Sequence, residues 1–425
     1  MKIQSKPRGR LSIIAMPVLF FFLLLGGATA DVVTSPQSSA SDNSGNEVDE
    51  VLRQFEQYQL DIDQDYQKEK NDIETTYQEY QRVIEEEYRD HERRILAVWL
   101  EAEISTRKKW VEYSHDLQTK KVVDFASGEI RIEMILPEED STPEAEAMFR
   151  EKLRELIQED QQTAYSRDEL TRRIEERIRD MEEYVKTAPV KKTPILARVV
   201  TGNPRPSEAS ISQAAADLQR RGQISTRPSR RDDARVVTFK SSLPATSLQR
   251  KALDYKDDIN RFAGQRALPE ELVFAVIHTE SAFNPMARSH VPAYGLMQIV
   301  PRSAGRDASR IIYGQEKLLS PSYLYNETNN INTGTTYLYL LYNRYLNKIS
   351  DPTSRLYCTI AAYNTGSGNV ARSFTGSTNV SRAATIINRM SPGQVYRHLT
   401  ANLPYHETRD YLERVVQRME LYRSM

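Results

Sequence analysis

The chain has 425 residues, 28% of them charged, and its net charge is −1. That length holds two or three domains, and so even a charge balance excludes a global attraction to nucleic acid. A hydrophobic share of 39% implies that part of the chain is solvated helix or linker rather than core.

Residues 1–30 read as a secretory leader. Lys2, Lys6, Arg8 and Arg10 make a basic start, "LSIIAMPVLFFFLLLGGA" an apolar stretch, and Ala28 to Ala30 a small-residue cleavage site. Cleavage on export to a bacterial periplasm is the expected outcome. The alternative is an uncleaved anchor, since the apolar run nearly spans a bilayer. No cysteine follows the leader to accept a lipid. The one cysteine, Cys358, forbids an intrachain disulfide and reads as a small buried residue rather than a reactive thiol.

A repeat of eleven residues follows over 50–104, within a predicted long helix at 45–104. Its second position is Val51, Ile62, Ile73, Ile84 and Ile95, and its sixth is Phe55, Tyr66, Tyr77, Tyr88 and Trp99. Eleven residues in three turns keep such a stripe nearly straight along a rod of roughly 80 Å. One narrow apolar stripe on so polar a rod calls for a partner: another copy, another protein, or the rest of this chain.

The period then changes to two. "KWVEYSHDL", "KKVVDFASG" and "EIRIEMIL" read as short strands with turns near Leu117 and Gly128. A helix opens at Thr142-Pro143, and a second at "SRDE", where Ser166 and Glu169 suit a capping box. Together these predict a small α+β domain over 105–188. Residues 189–235, with Pro189, Pro194, Pro204, Pro206 and Pro228, read as a basic linker, and "ARVVTFKSSLP" as a strand leading into the last domain, 236–425.

In that domain "LPEELVFAVIHTESAFNP" predicts a helix from Pro269 on which Val273, Val276, Ile277 and Glu280 share a stripe. Pro285 stops it near Asn284. Glu280 therefore faces the core in the last turn. Unpaired carbonyls and burial both disfavour its charge there, raising its pKa as a general acid requires. A glutamate that ties the helix end to a backbone amide would sit in the same place, and this stretch alone leaves both readings open. His278 and His290 flank it without metal-ligand spacing, so no cofactor or metal is expected.

Four pieces in order carry a resemblance: "ES" at Glu280-Ser281, "GLMQ" at Gly295 to Gln298, "AYN" at Ala362 to Asn364, and "ETRDY" at Glu407 to Tyr411. With this spacing, the chain from about 245 to 423 resembles the family 1 lytic transglycosylases of the soluble lytic transglycosylase/lysozyme-like superfamily. "WVEYSHDLQTKKVVDFASGEIRIE", "DPTSRLY" and "INRMSPGQVYRHL" are similar to the membrane-bound lytic transglycosylase C group. The sequence departs from that group in lacking a lipid-accepting cysteine and in carrying the eleven-residue rod. The resemblance implies an α+β, mainly α fold: a lysozyme-like helical catalytic domain after a small α+β domain and a long helix.

It also implies the chemistry. The family cuts the β-1,4 bond between N-acetylmuramic acid and N-acetylglucosamine of peptidoglycan glycan strands without water, leaving a 1,6-anhydromuramoyl end. Glu280 would be the single acid and base. Ser289 matches a serine near the acid, Gln298 a residue of the saccharide groove, and Tyr363 and Asn364 residues that orient the acid and the muramoyl sugar. Tyr411 would add a hydroxyl beside the acid. Glu407 is expected to pair with Arg409 or a neighbour. The competing readings are a hydrolytic muramidase on the same scaffold, which needs a second acid, and a wall-bound scaffold protein.

Overall fold

A computed structural model describes residues 57, 75, 78–138, 142–181 and 185–423. The predicted leader, and the rod before residue 78 apart from those two positions, lie outside the described residues. Helix α1, described over residues 78–98, is followed by strands β1 (Lys109–Tyr113), β2 (Thr119–Asp124) and β3 (Glu129–Pro137). Helices α2 (Thr142–Gln158), α3 (Gln161–Arg167) and α4 (Glu169–Met181) come next, then the short β4 (Val185–Lys186). After α5 (Ala197–Thr201) and α6 (Glu208–Arg221), the strands β5 (Gln223–Pro228) and β6 (Ala234–Ser242) return to the sheet.

The sheet runs β1-β2-β3-β6-β5, antiparallel throughout, with Ile132 opposite Phe239 and Met134 opposite Val237. Alternation sends Trp110, Val123, Ile130, Ile132, Met134 and Phe239 to one face. There they share a core with Phe149 and Leu153 of α2 and with Ala215 and Leu218 of α6. The residues read as a linker therefore complete this sheet and its helical cover. Its prolines stand outside the ladder interior, and its arginines face solvent or acids, as Arg227 does Glu133 at 2.9 Å. Gly222 turns the chain between α6 and β5 where a Cβ would lie 2.1 Å from the Phe239 ring, so only glycine fits. A smaller correction concerns α4. Ser166 lies inside α3, and the cap is Asp168, whose Oδ1 accepts from Thr171 N at 3.1 Å.

Among the described residues, the last part of the stripe on the rod is covered by its own chain. Tyr80, Ile84 and Tyr88 are buried against Leu170, Ile174 and Ile178 of α4, and Ile95 and Trp99 against Ile135, Ala234 and Val236 on the second face of the sheet. The helix stops at residue 98 rather than 104. Trp99 is held by its Nε1, which donates to Leu117 O at 2.8 Å, and Lys120 Nζ lies 4.9 Å from its ring centre. Beyond it Ser105 Oγ accepts from Val111 N at 2.9 Å, so the chain leaves the helix to run beside β1.

The remaining elements are helical: α7 (Ser247–Leu253), α8 (Lys256–Gln265), α9 (Glu270–Ser281), α10 (Arg306–Tyr313), the short β7 (Leu318–Leu319), α11 (Pro321–Tyr325), α12 (Glu327–Leu340), α13 (Pro352–Thr365), α14 (Ser367–Thr375), α15 (Val380–Ile387), α16 (Pro392–Asn402) and α17 (His406–Tyr422). The mainly α, α+β class read from the sequence is what is found. α9 is apolar nearly all round, and Leu272 through Ile277 are at most 2% exposed. Such a helix lies at the centre of its domain, here packed against α17 and α8. Cys358 is buried in α13, and burial pushes its thiol pKa up.

The sheet and the helical domain are fastened together. β4 pairs in parallel with β7. Arg288, 4% exposed, reaches Asp168 at 2.7 Å and Thr171 at 3.0 Å. Glu175 accepts from Ser322 N and Oγ, both at 2.7 Å. These buried, paired charges hold one geometry, because breaking either leaves an unpaired charge inside. Ile84→Ala should destabilise the protein by about 2–5 kcal/mol, while Leu96→Ala, 40% exposed, stays within about 0.5 kcal/mol of wild type. Denaturant unfolding of both variants measures the difference.

Candidate active site

Glu280 is the penultimate residue of α9 and 5% exposed. The helix is capped by Ala282 at φ 50°, and Phe283 follows at φ 62°. Two successive non-glycine residues in the left-handed region cost roughly 1–2 kcal/mol each. Such strain persists only where the surroundings dictate it. Asn284, fully buried, then fixes the exit: its Oδ1 accepts from Met286 N at 3.0 Å and its Nδ2 donates to Arg107 O at 3.3 Å.

That last bond brings the sheet domain to the site. The loop entering β1 places Arg107 with Nη1 3.8 Å from Glu280 Oε2 and Nη2 3.0 Å from Glu407 Oε1. Glu407 therefore pairs not with Arg409, whose Nε donates to Leu403 O, but with an arginine 300 positions away. Burial pushes the Glu280 pKa up to about 7, against the opposing pull of Arg107 and of the Tyr411 hydroxyl, with Glu407 adding to the rise. Tyr411, 2% exposed, lies beside the carboxyl without closing a hydrogen bond of ordinary geometry. Burial, and then the nearby Glu280, keep its phenol protonated.

The "GLMQ" turn forms the opposite wall. Gly295 has φ 72°, and a Cβ there would lie 2.4 Å from Asn330 Nδ2 and 2.5 Å from Leu324 O. Gln298 also takes a left-handed φ, 47°. Its Nε2 donates to Gly295 O at 3.0 Å, and its buried Oε1 has no partner among the described residues. Tyr363 reaches this wall from α13, its hydroxyl donating to Met297 O at 2.8 Å. Burial, then the nearby Glu280, raise its pKa as well. Asn364 Oδ1 accepts from Thr408 Oγ1 at 2.7 Å and so pins the end of α13 to α17.

The structure thus sets Tyr363 and Tyr411 near Glu280, with Gln298 next to the Met297 whose carbonyl Tyr363 bonds and Asn364 tied to the first turn of α17. Ser289 Oγ donates to Val291 O in its own loop. His278 bonds Tyr422 at 3.0 Å, and burial lowers its pKa to about 3. Two residues of the site were not found in the sequence. Asn330, fully buried, fixes the turn by accepting from Met297 N and donating to Tyr294 O and Leu324 O, each at 2.8 Å. Arg107 comes from the other domain, and nothing in "STRKKW" marks it as an active-site residue.

Residues 258–386 match the transglycosylase SLT domain model. The chain is 34% identical to a membrane-bound lytic murein transglycosylase C of Salmonella arizonae over 76% of this chain and 84% of that one. It is 35% identical to the protein of the same name from Klebsiella pneumoniae, again over 76% and 84%. Among solved structures, the 70 kDa soluble lytic transglycosylase of Escherichia coli aligns at 19% identity over 66% of this chain and 44% of that one, with a TM-score of 0.33.

Folding keeps a proton on Glu280 between about pH 4.5 and 7, where the unfolded chain has released it. The folded state then binds more protons, so this group's contribution to stability falls as pH rises through that window. Glu280→Gln has no such penalty. Its stability relative to wild type should rise by on the order of 3 kcal/mol between pH 4 and pH 8, read from denaturant unfolding at the two pH values.

Proposed function

The chain belongs to the lytic murein transglycosylase family, and from that premise we propose that it cuts the muramoyl–glucosaminyl β-1,4 bond of peptidoglycan without water, with Glu280 as the one acid and base. The observation that carries this reading is a single buried carboxyl, held protonated near neutrality, with one cation 3.8 Å away.

Glu280 donates its proton to the glycosidic oxygen as the bond from muramoyl C1 to that oxygen breaks. The sugar is left as an oxocarbenium ion and the side chain as a carboxylate. The muramoyl C6 hydroxyl closes on C1, and Glu280 takes back the proton that this hydroxyl releases. No proton is gained or lost overall, and the product carries a 1,6-anhydro ring. Arg107 lies far enough from Glu280 to leave the proton on at the start and near enough to stabilise the carboxylate in the middle. The unpartnered Gln298 Oε1 and the Asn364 amide are suited to an acetamido or hydroxyl group of the glycan. Tyr411 and Tyr363 keep water from the carboxyl and orient it. Ser289 remains a substrate-side residue only if its loop turns toward the sugar. Glu407, bound by Arg107, is not free to activate water, which argues against a hydrolase.

The sheet domain and the docked part of the rod act as one framework around the catalytic helices, through the contacts of Arg288, Glu175 and Arg107. The leader read from the sequence over 1–30 and a wall substrate together support a location in the periplasm. No helix of the described residues is long and apolar enough to cross a membrane.

Digestion of purified sacculi, with the products weighed by mass spectrometry, should give anhydro ends lighter by one water than hydrolysis products. Reducing ends would overturn the mechanism. Glu280→Gln should lose about 10²–10⁴-fold in rate, the usual worth of positioned proton transfer. Activity of the wild type should fall as pH rises past about 7. In Arg107→Gln that alkaline limb should move to higher pH, because the charge that favours the carboxylate is gone.

A further inference from the structure

Glu407, Tyr411, Arg414 and Arg418 recur at steps of four, three and four along α17 and so form one stripe. The stripe faces the end of α9. Glu407 meets Arg107 at its start, and Arg418 Nη1 lies 2.9 Å from Thr279 Oγ1, the residue before Glu280, at its end. Lys108, next to Arg107 in the β1 loop, joins the same cluster. Its pKa is lowered by burial and then by Arg418, Arg414 and Arg107, and that of Arg418 by burial and then by Arg414. The acids nearby, Glu280 and Glu407, both face Arg107. Neither Lys108 nor Arg414 has a carboxylate partner among the described residues, and Arg414 Nε is buried without an acceptor. Positive charges drawn together and half-buried, with only the weak pull of Glu280 on Lys108 to offset them, are unfavourable unless an anion joins them.

We propose that Lys108 and Arg414, flanked by Arg418, form an anion subsite beside Glu280 that binds a carboxylate of the substrate's muramoyl-linked chain. This rests on the glycan-cleaving reading above and names what the site recognises beyond the sugars. The two sugar rings are neutral, and the anions of peptidoglycan are carboxylates carried by its peptides. A lysine ammonium and a guanidinium fork suit that group, and charge-assisted bonds of this kind add strength as well as orientation. The subsite spans both domains, with Lys108 from the sheet side and Arg414 from the catalytic side. Recognition of the peptide would thus depend on the docking that also delivers Arg107.

The test compares three substrates with the full-length protein: peptide-bearing glycan strands, the same strands with their carboxylates converted to neutral amides, and strands stripped of peptide, whose lactyl carboxyl, an amide in the native strand, is thereby freed as a carboxylate. The wild type should cleave the native strands about tenfold more efficiently than the amidated ones, one charge-assisted contact's worth. Lys108→Gln and Arg414→Gln should each lower kcat/KM on native strands by about that factor and leave the amidated strands unchanged. Stripped strands cleaved like amidated ones would assign a peptide carboxylate as the ligand, and stripped strands cleaved like native ones would show that the lactyl carboxylate freed by stripping takes its place in the same subsite. Variants that lose equally on all three substrates, or on none, would overturn the subsite. Wild type that releases no anhydro ends from any of them would instead overturn the mechanism.

Discussion

Everything at this site follows from taking one carboxyl out of water without giving it a full counter-charge. Glu280 lies in the last turn of a helix whose middle, Leu272 through Ile277, is wholly apolar, so the α9–α17 packing that stabilises the domain also buries the acid. A complete ion pair would hold it ionised and useless as a donor. Complete isolation would leave no support for the carboxylate that the proposed mechanism forms. Arg107 supplies the intermediate case, in contact with Glu407 at 3.0 Å but 3.8 Å from Glu280. The guanidinium is thus already engaged, and its pull on Glu280 is partial.

That arrangement explains why the sheet is fastened so firmly to the helical domain. Arg107 and Lys108 lie on a loop between a docked helix and an edge strand. Their position depends on Trp99 and Ser105 behind them and on Asn284, which bonds the Arg107 carbonyl. Arg288–Asp168 and Glu175–Ser322 fix the same interface further out. Interactions of this buried, paired kind contribute little net stability but strongly disfavour other geometries. For a carboxyl whose pKa depends on a cation a few ångströms away, a fixed geometry is what matters.

What could be read from the sequence was local, and what could not was distant. The apolar steps around Glu280 and the proline after it locate a core-facing acid at a helix end, because period and termination are written in consecutive residues. The same is true of the β1–β3 strands and of the stripe on the rod. The stripe shows that it must be covered but not by what, since Leu170, Ile174 and Ile178 read equally well as the core of their own domain. Residues 189–235 were misread because proline-rich composition outweighed α5, α6 and the short polar strand β5, which β6 joins to the sheet through β3, far back in the chain. Arg107 and Asn330 are ordinary surface and helix residues by type. Only the fold sets one beside Glu407 and the other under the Gly295 turn. Ser289 is placed by the acid only through the family resemblance; its bond to Val291 O within its own loop is not announced by the sequence.

The most direct measurement is the titration of the Glu280 carboxyl itself, by carbon NMR on glutamate-labelled protein with Glu280→Gln identifying the resonance. The account predicts a midpoint near 7. A midpoint near the ordinary carboxylate value of 4.5 would mean that the side chain is ionised at neutral pH and cannot be the proton donor.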